Sequence, residues 1–82
     1  MALTVSFAGR VSSRFGRPLL LVPREYRGML SSLKGRRVRV WIGDLVFEGR
    51  IVEYQGYLYV RLPKAAFALH DRRYYVIRLE VG

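Results

Sequence analysis

FAGRVSSRFGRPLLLVPR, from Phe7 to Arg24, and FEGRIVEYQGYLYVRLPK, from Phe47 to Lys64, superpose without a gap at an offset of forty residues. Phe7 falls on Phe47, Gly9 on Gly49, Arg10 on Arg50, Gly16 on Gly56 and Pro23 on Pro63. Val11/Ile51, Leu20/Val60, Val22/Leu62 and Arg24/Lys64 are conservative pairs. Average composition predicts roughly one identity in a window of this length. The chain therefore reads as two tandem copies of one unit, repeat 1 about 4–42 and repeat 2 about 44–82, within one domain spanning 1–82.

The unit's elements follow from periodicity. LTVSFAGRVSS sets Val5, Phe7, Gly9 and Val11 against more polar neighbours, the two-residue period of a half-buried strand. RFGRP is a turn, and PLLLV is a second, apolar strand that completes a hairpin. Pro23 opens a helix, where its missing N–H costs nothing. Tyr26, Met29, Leu30 and Leu33 then form one apolar helical face, with Gly35 as a left-handed C-terminal cap. RRVRVWI alternates Val38, Val40 and Ile42 against Arg37, Arg39 and Trp41, and Gly43–Asp44 is a turn.

The order then recurs. LVFEGRIVEY alternates Leu45, Phe47, Gly49 and Ile51, and GYLYVRL sets Leu58, Val60 and Leu62 against Tyr57, Tyr59 and Arg61. PKAAFALHD is a shorter helical turn, and RRYYVIRLEV is a last strand with Tyr75, Ile77, Leu79 and Val81 as its apolar set. Beyond Pro63 the second copy is four residues shorter, so that Arg36–Arg37 matches Arg72–Arg73. The expected fold is mostly β: a small closed barrel of two β-β-α-β repeats about a pseudo-two-fold axis. Closure would remove the exposed edges of a lone unit.

Composition narrows the function. The chain has 82 residues, a formal net charge of +9 and no cysteine, so neither disulfides nor a thiolate metal site is possible. A lone His70 reads as a surface or helix-end residue. No stretch approaches the ~20 apolar residues of a membrane span, and MALTVSFAGR lacks the charged start of a signal peptide. These features predict an intracellular, cytoplasmic protein.

No catalytic constellation is present. Ser12, Ser13, Ser31 and Ser32 lie in a turn and at a helix end, remote in sequence from His70. Asp44 and Asp71 occupy turns, and Glu48 and Glu53 fall on opposite strand faces by parity. No metal site, no cofactor and no enzymatic activity are expected. What remains is cationic charge, thirteen arginines and two lysines, and it is uneven. Residues 1–40 carry nine cations against Glu25 alone, whereas residues 41–82 carry six against five acids. Such a concentration points to a polyanionic partner.

LLLVPREYRGMLSSLKGRRVRV resembles the AbrB/antitoxin-type DNA-binding module at Val22, Pro23, Arg24, Glu25, Tyr26, Arg27, Leu30, Gly35 and Val38–Val40. That family forms swapped-hairpin dimers, and related RIFT and double-psi barrels carry the unit twice in one chain; together they are the cradle-loop barrels. The chain departs from the pattern at Arg36, where Asp usually follows the glycine, and at Ala65–Ala66 in the second copy. The resemblance implies a monomeric pseudo-dimer that binds duplex DNA mainly through phosphates, as a transcriptional regulator or a chromatin-like protein. By position it implicates Arg10, Arg14 and Arg17 in the first hairpin and Arg24 and Arg27 at the helix, extended by Lys34, Arg36, Arg37 and Arg39.

Arg10 and Arg50 are shared by both copies, which equally suits a structural role such as capping a helix C-terminus; Arg14 and Arg17 face Tyr54 and Tyr57 in the second copy. Two alternatives stand beside this reading. LKGRRVRVWIGDLVFEGRIVEYQGYLYVRL is similar to the first motif of the Sm-like fold, which implies an RNA-binding module, with Gln55, Gly56 and Tyr57 where that fold reads uridine. A RIFT-type barrel can instead serve as an interaction or ligand-binding subunit. Trp41, Tyr57 and Tyr59 are either a stacking platform for single strands or filling for the barrel's seams.

Overall fold

The computed structural model describes residues 3–69 and 73–81. The expectations for His70, for a turn at Asp71 and for a strand beginning at Arg72 lie outside the described residues. Among the described residues seven strands form one antiparallel sheet: β1 (Leu3–Gly9), β2 (Val11–Arg14), β3 (Arg17–Leu21), β4 (Arg37–Ile42), β5 (Leu45–Tyr54), β6 (Tyr57–Arg61) and β7 (Tyr75–Val81). Helix α1 (Arg24–Leu30) continues as a 3₁₀ turn at Ser31–Leu33, and a second 3₁₀ stretch runs from Lys64 to Leu69. None of the described helices is long and apolar enough to cross a membrane.

The sheet is mostly β and strongly curled, but the closed barrel expected from the sequence is open. The strand order is β1-β7-β4-β5-β6-β3-β2, and no ladder joins its two ends among the described residues. The cause is local. β1 and β2 are consecutive pieces of one chain that breaks at Arg10, so β1 spends its edge on β7 and β2 spends its edge on β3. β5, at the corresponding place in the second half, runs unbroken for ten residues.

Alternation fills the concave interior as expected. Val5, Val11, Leu20, Val38, Val40, Ile51, Leu58, Val60, Ile77, Leu79 and Val81 are all buried in one cluster. Leu30 of α1 joins that cluster, and Tyr26 and Leu33 pack against it. Met29, expected on the same face, is exposed instead. Met29 lies about 100° around the helix from Leu30, at the margin of a stripe made by buried Leu30 with the partly buried Tyr26 and Leu33.

Two-residue hairpins fix the register, and two of them, forty residues apart, are alike. Arg14 pairs with Arg17 across Phe15–Gly16, and Tyr54 pairs with Tyr57 across Gln55–Gly56. Both central residues of each of these two turns have positive φ (55° and 72°, then 52° and 82°), the requirement of a type I′ turn. A phenylalanine in that region is unusual; Phe15 is solvent-exposed, and its ring lies 5.0 Å from that of Tyr54. Gly35, at φ 83°, ends the helical segment as expected.

Candidate nucleic-acid interface

The outward face of β4, β5 and β6 carries the side chains of opposite parity to the core. Ladder register then decides which of them meet. Ile42 pairs with Leu45, so Arg37 stands directly opposite Arg50. Tyr54 pairs with Tyr57, so Arg50 stands directly opposite Arg61. Three arginines thus form one row across three adjacent strands, about 10 Å long at the usual strand spacing. Arg17, at the start of β3, borders the same cleft of about 250 Å³. Four guanidinium groups line this cleft against one carboxylate, Glu48.

The loop before β4 holds the row in place. Gly35 N–H donates to the Ile51 carbonyl at 2.6 Å, and Ile51 N–H donates to the Arg36 carbonyl at 3.1 Å. Arg50 Nη1 donates to the Gly35 carbonyl at 3.1 Å, just beyond the helical segment. Gly49 keeps β5 and β6 close, because a Cβ there would stand 2.7 Å from the Arg61 carbonyl oxygen.

A different balance holds one pleat away. Arg39 stands between Glu48 on β5 and Glu80 on β7, and its Nη1 lies 3.8 Å from Glu80 Oε1. Lys34 is likewise paired, its Nζ donating to Glu53 Oε1 at 3.1 Å. Arg27 Nη1 donates to the Gly56 carbonyl at 2.9 Å, and the guanidinium carbon lies 6.0 Å from the Tyr57 ring centre, tying α1 to the β5–β6 turn. Arg24 and Arg36 are exposed and line neither this cleft nor the one at the β1–β2 bend.

That second cleft, of about 260 Å³, contains Arg10 and Arg14. The Arg10 guanidinium lies 5.5 Å from the Tyr74 ring centre, and that of Arg14 lies 5.9 Å from the Tyr59 ring centre. The nine arginines and lysines singled out in the sequence therefore separate into groups. Arg17 and Arg37 join the row, Arg10 and Arg14 share the second cleft, and Arg27, Lys34 and Arg39 are engaged with protein partners.

Arg50 and Arg61 complete the row and come from the second half, which the charge count had set aside. The signal was available: alternation turns both outward, and two-residue turns at Gly43–Asp44 and Gln55–Gly56 fix the pairing. The three aromatics do not share a platform. Arg78 covers Trp41 at 4.7 Å, Tyr59 is buried, and Tyr57 sits beside Arg27. Among the described residues no three of His, Cys, Asp or Glu converge. Comparison with protein-family models, with curated proteins and with solved structures found no match.

Proposed function

We propose that this chain binds nucleic acid, duplex DNA foremost, by seating backbone phosphates along the Arg37–Arg50–Arg61 row. One observation carries the proposal: three arginines stand directly opposite one another with no acid between them. Like charges in that arrangement destabilise a sheet, and a bound polyanion removes the penalty. Guanidinium is also the group that meets phosphate in a two-pronged geometry. Phosphate contacts position a ligand without reading its sequence, which suits a chromatin-like coat or the non-specific component of a transcriptional regulator.

The cradle-loop resemblance belongs to the same reading. Matching I′ turns forty residues apart, and glycines at 9 and 49 that both sit in tight surroundings, support two copies of one strand–strand–helix–strand unit. A fused pair of units acts as a monomer in the cytoplasm.

The test is fluorescence anisotropy of a labelled random 20-base-pair duplex across a salt series. Affinity should fall with a log–log slope of roughly −3 to −5, at about −0.9 per phosphate contacted. An absence of binding at low salt would overturn the reading. Preference for one operator over random duplex would select the regulator over the coat.

A further inference from the structure

The cleft at the β1–β2 bend lies beside the arginine row rather than within it. Arg14 and Arg17 face each other across the first hairpin; Arg17 borders the row, and Arg14 lines the bend cleft. A strand of phosphates lying on the row reaches this cleft by crossing the hairpin tip.

The chemistry of the cleft differs from that of the row. Its lining joins two guanidinium groups, Arg10 and Arg14, to the apolar surfaces of Leu21, Pro23, Tyr59 and Tyr74, with no carboxylate among the described residues. Tyr59 is buried, whereas Tyr74 is 64% exposed and has the Arg10 guanidinium 5.5 Å from its ring centre on one side. At about 260 Å³ the space falls below the ~300–1,000 Å³ that holds a drug-sized ligand, and it is more enclosed than the row's open trough. It suits one planar ring attached to a phosphate. A base inside a duplex has both faces covered by its neighbours, so only an unpaired base can present itself here.

We infer that the bend cleft takes one unpaired nucleotide at an end or junction of the bound nucleic acid. Its base stacks on Tyr74, and its phosphate is held by Arg10 and Arg14. Stacking on tyrosine and on guanidinium planes is the usual means of holding unpaired bases. This inference rests on the phosphate-row reading, because the row delivers the strand to the cleft.

The test compares a blunt 20-base-pair duplex with the same duplex bearing a three-thymidine tail, 5′ or 3′, and with the same tail made abasic. The thymidine tail should tighten binding roughly tenfold on one of the two polarities, within the range known for a single stacked base. The abasic tail should restore blunt-duplex affinity. Tyr74→Ala should bring the ratio of tailed to blunt affinity to about one, and Tyr74→Phe should keep it, since the ring face is what the base uses. Equal affinity for thymidine, abasic and blunt ends, with steep salt dependence intact, would overturn the cleft inference and leave the row standing. Binding of the tailed duplex without any binding of the blunt one would overturn the row instead. If neither binds, both fall.

Discussion

Two rows of side chains cross the same outward face of the sheet, two residues apart along β4. One runs Arg37, Arg50, Arg61; the other runs Glu80, Arg39, Glu48. Strands, face and solvent are shared, so intrinsic strand preference cannot separate them. In the second row every direct neighbour of the cation is an acid, the arrangement that stabilises a sheet by a few tenths of a kcal/mol. In the first the directly opposed pairs, Arg37 with Arg50 and Arg50 with Arg61, are both cation on cation, which costs a comparable amount. A sheet that could place acids opposite arginine, and does so one pleat away, leaves them out of the directly opposed positions along this row. On the phosphate-row proposal, the difference separates charge that supports the fold from charge kept for a ligand.

The strongest way to break this comparison is to neutralise each row and measure binding. Replacing Arg37, Arg50 and Arg61 together by Gln should weaken duplex binding on the order of 100-fold at low salt, about 1 kcal/mol for each charge-assisted contact. The same triple should flatten the salt slope by two to three units. Arg39→Gln in the other row should change the slope by less than one unit. Both are read from the same anisotropy titrations, and equal effects per charge would end the distinction between the rows.

Gly49 lies between Glu48 and Arg50 and therefore between the rows. Its missing side chain lets the β6 backbone approach, and an alanine Cβ would meet the Arg61 carbonyl oxygen at 2.7 Å and Val60 Cγ1 at 2.9 Å. Neither neighbour is a flexible side-chain end. Gly49→Ala should cost roughly 1–3 kcal/mol as β5 and β6 are forced apart. Thermal unfolding should show this as a Tm lowered by about 5–15 °C. An unchanged Tm would mean that the two strands do not depend on this close approach.

Most of the strand positions were legible in the sequence, because a two-residue period and glycine-bearing turns are local signals. The buried sets Val5/Gly9/Val11 and Ile77/Leu79/Val81 follow from alternation alone. The row was only half legible. Charge counting points to Arg17 and Arg37 because they fall in the basic half, while Arg50 and Arg61 fall in the half whose charge nearly balances and yet sit among arginines in space. Register is the missing step, and it comes from turn geometry rather than composition. The open barrel was less accessible still. Nothing in FAGRVSS distinguishes a chain that breaks after Gly9 from the aligned FEGRIVE, which runs straight. The break depends on which edges β7 and β3 offer. Met29 is exposed although it lies within α1, about 100° around the helix from Leu30, because the apolar i, i+3, i+4, i+7 pattern marks a stripe wider than the one the sheet covers.

The finest test of the comparison concerns stability, where the two rows should respond with opposite sign. Arg37 is exposed at the first position of β4, and its direct partner on β5 is Arg50. Arg37→Gln removes one like-charge contact and little packing, so the free protein should gain about 0.2–1 kcal/mol. Arg39→Gln removes a half-exposed ion pair with Glu80 and leaves two acids facing a neutral residue, so it should lose about 0.2–1 kcal/mol. Urea unfolding of both variants in 0.05 M and 1 M salt gives the sign and its origin together. At 1 M the screening length falls to ~3 Å, and both effects should shrink toward zero. Should Arg37→Gln instead destabilise the free protein at low salt, the row would be part of the scaffold, and its charge would owe nothing to a ligand. A gain in stability paired with a loss in affinity is what a binding surface predicts: the repulsion that weakens the empty sheet is the same interaction that a phosphate turns favourable.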